Sequence, residues 1–460
     1  MFGIWAIARN LVKEVLRMRF LLLFVALITA SYTIFFAYWL QSHAGRADQK
    51  VQTFLSYSLS GTAVFLALLT IFISIASITR DIKYKEIFSI TTKPVSRVQF
   101  LIGKFLGIAL LNLFMLLISC GLIYGLARWM QTSSSATEDE RERLKELVLI
   151  ARQSVKPQFK DIGEEVNKKV EAVVERKMRD ESVFYKNNPA LVAEMRQSLA
   201  KEFTDELTQL AGSVSPGQHI VWHFTGIEPI EREKGFVYIR YKQDVSQNPA
   251  DSTTFGEWTY GPQDPLNYGG TQRSTRDTIR TIHEFPVPVS AISPEGDLYV
   301  LYRNPTQNQY ITVIFPPDTG IEVLYEAGSF EGNLLRGTIL IYLTLIFLVV
   351  LSVAMGGWLS FPVAALFVMV IYVLGISGDF IAESMKYEGT PFQMSISSVL
   401  LSFLPNFATY DPVPQIETGK LVALQKLGEC GLFLILVKGG IVALFGYLVF
   451  KFRELARVIV

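Results

Sequence analysis

The stretch Thr79-Arg80-Asp81-Ile82-Lys83-Tyr84-Lys85-Glu86-Ile87-Phe88-Ser89-Ile90-Thr91-Thr92-Lys93-Pro94-Val95-Ser96-Arg97 separates two apolar runs, 54–78 and 100–127. A hydrocarbon layer about 30 Å thick takes roughly 20 apolar residues of helix, so each run is long enough to cross it. Four further runs, 20–40, 336–354, 358–376 and 431–450, bring the expected spans to six. The run 20–40 is too long for a signal-peptide core, has no small-residue cleavage site and ends in Tyr38-Trp39, a pair suited to a membrane interface. It is therefore expected to stay in the mature chain.

Around these runs the charge is uneven. Residues 131–335 carry 22 Lys+Arg against 31 Asp+Glu, although the whole chain of 460 residues has a net charge of only +1. With half of the residues hydrophobic and 18% charged, the composition excludes a purely soluble protein. A nucleic-acid reader is excluded too, because the basic residues flank apolar runs instead of forming a patch. Six spans put both termini on one side. The residues expected there are Arg9, Lys13, Arg17, Arg19, Arg80, Lys83, Lys85, Lys93, Arg97, Lys104, Lys451, Arg453 and Arg457, 13 basic groups against four acidic ones, Glu14, Asp81, Glu86 and Glu454. Basic flanks mark the cytoplasmic side, so 131–335 is expected outside the cell's inner (plasma) membrane.

Residues 1–19 read as an amphipathic elbow helix, with Phe2, Ile4, Trp5, Ala8, Leu11, Val12, Val15 and Leu16 on one face and Arg9, Lys13 and Arg17 on another. Spans one to three then occupy 20–130, and spans four to six 336–460. In the inserted block, 131–216 is expected to be helical. Leu144, Val148, Ala151, Val155, Phe159, Ile162, Val166, Val170 and Val173 recur at helical spacing, Pro157 interrupts them, and Asn188-Pro189 restarts a helix carrying Leu191, Met195, Leu199, Phe203 and Leu207. From 217 to 335 short aromatic and alternating runs such as 236–241, 298–302, 310–315 and 321–325 predict an antiparallel β-sandwich. The expected fold class is thus an α-helical polytopic membrane protein with six transmembrane helices and an inserted extracytoplasmic α+β domain, a helical hairpin plus a β-sandwich.

No catalytic, cofactor or metal constellation is read. His219 and His223 share a strand, where four residues separate them by about 13 Å, too far for one metal. Cys120 and Cys430 lie far apart in or beside apolar runs, which argues against a disulfide framework.

A turn joining two spans needs far fewer residues than 79–97 provides. Ile82, Glu86 and Ile90 fall on one helical face with Ile87 beside them, and Pro94 stops the pattern, which predicts a short amphipathic helix along the membrane. The order Arg80, Lys85-Glu86, Lys93-Pro94-Val95-Ser96-Arg97, Phe100, Gly103-Lys104, together with Leu404-Pro405-Asn406-Phe407 before the last span, resembles type 2 ABC exporter permeases, in particular the multicopper-enzyme-maturation-like permease subunits. The resemblance covers the six-span part and not 131–335. It implies a coupling helix at 80–97, with Arg80, Lys85, Glu86, Ile87, Ile90, Lys93, Pro94 and Arg97 facing a separate ABC ATPase subunit. It further implies a second permease copy, identical or related, membrane lipids around the spans, and ATP with Mg on the ATPase. No Gly-x-x-x-x-Gly-Lys-Ser/Thr motif occurs, so the ATPase is expected to be another chain. The alternatives are a lipopolysaccharide-export-like permease, and a membrane-anchored external binding or signalling module that transports nothing. The inserted block leaves room for an external partner.

Thr390-Pro391-Phe392-Gln393 opens an apolar segment too short to cross, which the resemblance implies to be an external re-entrant helix at 391–404. Within the spans, Asn112 is expected to hydrogen-bond between helices, and Lys438 to pair inside the bundle or snorkel to the interface. Gly103-x-x-x-Gly107 and Gly121-x-x-x-Gly125 read as helix-packing positions.

Overall fold

The computed structural model describes residues 2–17, 47–84, 96–132, 137–157, 163–180, 189–230, 235–316, 320–381, 384 and 404–452. The chain divides into two compact units, Met1–Ala151 with Gly328–Val460, and Arg152–Ala327.

The first unit begins with α1 (Phe2–Leu16), α2 (Ala47–Lys83), α3 (Arg97–Thr132) and α4 (Glu138–Leu147). Among the described residues four helices are long and apolar enough to cross a membrane: α2, α3 and two that follow the inserted unit. The predicted run 20–40 lies outside the described residues. α2 and α3 extend well past their apolar runs, to 37 and 36 residues, because no Pro or Gly stops either helix where its hydrophobic stretch ends. Leu144 and Val148 of the α4 region are fully buried in the core of this unit.

At 150–155, where helical spacing predicts a helix, the chain forms strand β1 (Ile150–Val155). The reason is tertiary. β1 forms an edge of a sheet ordered β1-β11-β4-β8, and that pairing overrides the weak helical period. The second unit continues with α5 (Gly163–Asp180) and α6 (Pro189–Ala211), which share a small core of their own built on Val166, Val170 and Val174 with Met195, Leu199, Phe203 and Leu207. Val174 and Val192, not the expected Val173 and Leu191, turn inward here. Pro189 is the first helical residue, a position where its missing N–H costs nothing.

The rest of this unit is β2 (Ser213–Val214), β3 (His219–Phe224), β4 (Phe236–Lys242), β5 (Asp244–Val245), β6 (Thr253–Gly261), a one-turn helix α7 (Pro265–Tyr268), β7 (Thr271–Thr278), β8 (Ile282–Pro288), β9 (Leu298–Arg303), β10 (Val313–Ile314) and β11 (Ile321–Ser329). Two four-stranded sheets, β1-β11-β4-β8 and β3-β9-β6-β7, and a short β2-β10-β5 sheet supply the core. Alternation along β4 sends Val237, Ile239 and Tyr241 inward, where Tyr241 of one sheet meets Trp258 of the other at 4.5 Å between ring centroids. Burial, and for Tyr241 the hydrogen bond to Asp277, pushes the Tyr241 and Tyr302 hydroxyls well above the ordinary phenol range, so both stay protonated in the core.

Back in the first unit are α8 (Phe330–Trp358), α9 (Phe361–Ile376), α10 (Val413–Glu417) and α11 (Leu424–Phe452). α9 lies where a fifth span is expected but has only 16 residues, about 24 Å of helix, and is shorter than the four helices long enough to cross. α11 contains a π-helical stretch, Cys430–Gly439, a geometry that sequence periodicity does not reveal.

Candidate functional site

The segment 79–97 leaves from the last turn of α2 and re-enters at the first turn of α3, so these two helix ends frame it. Lys85, Glu86, Ile87, Ile90, Lys93 and Pro94 lie outside the described residues, as do 391–403 of the expected re-entrant helix. Arg97 is the first residue of α3. Just before it, Ser96 Oγ accepts the Gln99 N–H at 3.2 Å while Gln99 Oε1 accepts the Ser96 N–H at 3.0 Å. This reciprocal capping box fixes where the helix starts, and gives Ser96 a structural reason to follow Pro94-Val95.

Arg80, the first of the expected coupling residues, forms an ion pair with Glu14 of α1. Beside it Asp81 Oδ2 lies 2.7 Å from Lys104 Nζ, with both side chains about 5% exposed. Lys104 also reaches the Ser77 carbonyl at 3.4 Å. A charge pair this deeply buried is costly to desolvate, and holds only because each ion supplies the other's missing solvation. Lys104 further faces the Phe100 ring at 5.7 Å, and Phe100 stacks on Phe450 of α11 at 6.1 Å.

The elbow helix belongs to the same junction. Ala8, Leu11 and Val15 are buried, and α1 approaches α3 so closely that a Cβ added at Gly103 would lie 2.8 Å from Ile7 Cβ, and one at Gly107 would lie 3.0 Å from the Ala8 carbonyl oxygen. Gly103-x-x-x-Gly107 is therefore the seat of α1. Gly121 and Gly125, by contrast, meet no neighbour within 4 Å among the described residues. Trp5 and Leu16 of the α1 apolar face remain exposed. Four helix ends, from α1, α2, α3 and α11, thus converge where 79–97 begins and ends. Periodicity could not find this junction, because its polar groups pair across helices distant in sequence.

At the other end of the bundle, where α3 finishes and α8 starts, Arg128 of α3 and Glu331 of α8 form an ion pair joined by the Tyr124 hydroxyl, which donates to Glu331 Oε1 at 3.1 Å. There Phe407 is buried, its N–H donating to the Gly375 carbonyl at 3.0 Å, and Asn406 Nδ2 donates to Asp379 Oδ1 at 2.7 Å. Leu404-Pro405-Asn406-Phe407 is thereby fixed on the last turn of α9. Lys438, partly buried, donates from Nζ to the Leu404 carbonyl at 2.5 Å. Asn112, expected to bridge helices, is 1% exposed, and neither amide atom has a hydrogen-bond partner among the described residues.

Between α3, α8 and α11 a cavity of about 550 Å³ is lined by apolar side chains and glycines, including Phe105, Val353, Gly357 and Gly440, with the Tyr447 phenol as the one polar side chain on its wall among the described residues. In the inserted unit His223 Nε2 lies 3.2 Å from Asp297 Oδ1 and the ring stacks on Tyr299, which accounts for it structurally. Among the described residues no three His, Cys, Asp or Glu side chains are grouped to hold a metal.

Residues 5–166 match the family model described as ABC-2 family transporter protein. No curated protein and no solved structure matches the chain.

Proposed function

We propose, from the match of residues 5–166 to the ABC-2 family transporter model, that the chain is a type 2 ABC permease, the transmembrane subunit of an ATP-driven exporter served by a separate ATPase chain carrying ATP and Mg. The observation that carries the proposal is the junction at the ends of α2 and α3. Arg80–Glu14 and Asp81–Lys104 tie the helices on either side of 79–97 to each other and to α1, so a displacement of the segment between them is passed directly to two spans. Closure of the ATPase dimer would pull on 80–97 and shift the bundle between two packings. No residue of this chain does covalent chemistry in that cycle. Both termini and 79–97 face the cytoplasm of a cell with an inner membrane, 131–335 lies outside, and a second permease copy completes the pathway. The basic excess near the termini supports this orientation. The largely exposed apolar faces of α11, at Leu432, Leu436, Ile441 and Leu444, leave room for lipid or for that second copy.

Two measurements check the reading. Glu86→Arg or Ile87→Asp should lower transport-coupled ATP hydrolysis about tenfold and weaken co-purification with the ATPase, since the short helix must present an apolar and acidic face to its groove. Wild-type assembly and hydrolysis in both variants would reduce 80–97 to a topological anchor. For orientation, cysteines introduced at Ser134 and Gln263 should react with an impermeant maleimide in intact cells whose outer envelope is open. Labelling that requires breaching the inner membrane would reverse the topology.

A further inference from the structure

α3 and α11 both lean on α8, and the apolar cavity of about 550 Å³ opens between them toward the helix ends that adjoin 79–97. Its size falls in the range of ligand sites, about 300–1,000 Å³. α11 is pressed onto α8 at Gly446, where an added Cβ would lie 2.7 Å from Ala354 Cβ, and α3 is held to α8 by the Tyr342 hydroxyl, which donates to the Ala109 carbonyl at 3.2 Å. The Phe100 and Phe450 rings, 6.1 Å apart, join α3 to α11 at the foot. Val98 and Ile102 line the cavity and are exposed, so it has a mouth on the side of the bundle. On the opposite wall a Cβ added at Gly440 meets no atom within 4 Å among the described residues.

The α3 wall covers 98–105 and the α8 wall 350–357, eight residues each and about 12 Å of helix, while the α11 wall, 435–450, is about 24 Å long. The hydrocarbon layer is about 30 Å thick and one leaflet about half of that, so two walls stop within a leaflet and the third stops short of the far interface. That depth decides the occupant. A spanning helix, whether 20–40 or one from a second copy, seats along the whole layer at about 8–10 Å between axes and would find only part of a groove. An acyl chain needs one leaflet and has no polar group to satisfy. At the foot of the cavity Arg97 opens α3 beside Val98, and Lys451, exposed, follows Phe450 on α11. Basic residues at that level complement a negative headgroup. We propose that the cavity holds an acyl chain of an anionic phospholipid from the leaflet adjoining 79–97, with its headgroup against Lys451. The chain fills a void whose lining otherwise lacks partner atoms, and it wedges α3 from α11 at the first turns of the helix that 79–97 leads into. This asks only that the spans lie in a bilayer, and is independent of the direction of transport.

The test is positional. The full chain is reconstituted in phosphatidylcholine nanodiscs with a trace of phospholipid carrying a diazirine midway along one acyl chain, on a phosphatidylglycerol or a phosphatidylcholine headgroup, and photoadducts are mapped by mass spectrometry. The glycerol probe should mark 98–105, 350–357 and 435–450 about tenfold above the choline probe. Gly440→Phe, whose ring enters open space, should lower these adducts about tenfold and leave those on the exposed α9 residues Leu366 and Val370 unchanged. Lys451→Gln should cut the preference for the glycerol headgroup about fivefold. Cavity adducts that persist at the wild-type level in Gly440→Phe, or that favour neither headgroup, overturn the proposal. So does a cavity that takes no adducts while α9 does, the result expected if 20–40 or a second copy fills it. Should Gly440→Phe fail to reconstitute, Ala443→Leu on the same wall decides by the same criterion. A chain that takes no adducts anywhere refutes the bilayer reading itself, and this proposal with it.

Discussion

Lys104→Met is expected to destabilise the membrane unit by about 3–5 kcal/mol, because it strands the Asp81 carboxylate in a site where its side chain is 5% exposed. Methionine keeps most of the lysine stem and its packing beside Phe100, so the loss isolates the charge and not the volume. Asp81→Asn likewise leaves the buried Lys104 ammonium without its counter-charge, and should cost less only because the amide oxygen and the Ser77 carbonyl can still accept from it. The informative variant is the pair Asp81→Leu with Lys104→Met. Removing both charges should return much of the stability, because a buried ion pair replaced by apolar groups is often neutral or better. If the pair also transmits movement from 79–97, the double variant remains well folded but uncoupled. Thermal unfolding of the purified chain, with ATP hydrolysis in the assembled complex, measures both quantities. A loss below about 1 kcal/mol for Lys104→Met would show that the pair behaves as a solvated surface bridge.

The signals that could be read in advance were local ones. Apolar runs of membrane length announced α2, α3, α8 and α11 because solvation by lipid constrains every residue of a span. The alternation Val237, Ile239, Tyr241 announced a strand because the pleat has a period of two. Pro189 opened its helix as its missing N–H requires. Cross-chain facts were not legible. Nothing near Asp81 points to Lys104, and nothing near Lys438 points to the Leu404 carbonyl, because such pairs depend on helix register set by the whole bundle. The strand at 150–155 escaped the helical reading for the same reason, since its hydrogen bonds belong to β11 and not to its own neighbours in sequence. The Ser96–Gln99 capping box could have been found, because its Ser-x-x-Gln spacing is printed in the chain. The seat of α1 was half legible. Gly103 and Gly107 were read as a close-packing pair, but the helix that uses them, α1, lies far earlier in the chain.

In the inserted unit the largest single effect is expected at Trp258. Its side chain is 1% exposed on β6 and meets Tyr241 at 4.5 Å, Tyr302 at 4.8 Å, Phe285 at 5.5 Å and Phe315 at 6.0 Å, so it joins rings from both four-stranded sheets. Its indole N–H donates to Thr275 Oγ1 at 3.2 Å on the neighbouring strand β7. Trp258→Ala removes this packing, leaves a cavity among rings that cannot collapse together, and should cost about 3–5 kcal/mol. That is a large share of the roughly 5–15 kcal/mol that holds a domain folded. Trp258→Phe keeps an aromatic ring and loses the N–H bond with part of the contact area, so its cost should be clearly smaller. The two units have separate cores, which makes the consequence selective. In the purified full chain, Trp258→Ala should expose 152–327 to limited proteolysis at a temperature where fragments containing the spans stay protected and α-helical. Simultaneous loss of both would mean that the units fold as one. If ATP-coupled activity survives while this unit is open, the inserted unit is not needed for the coupling itself.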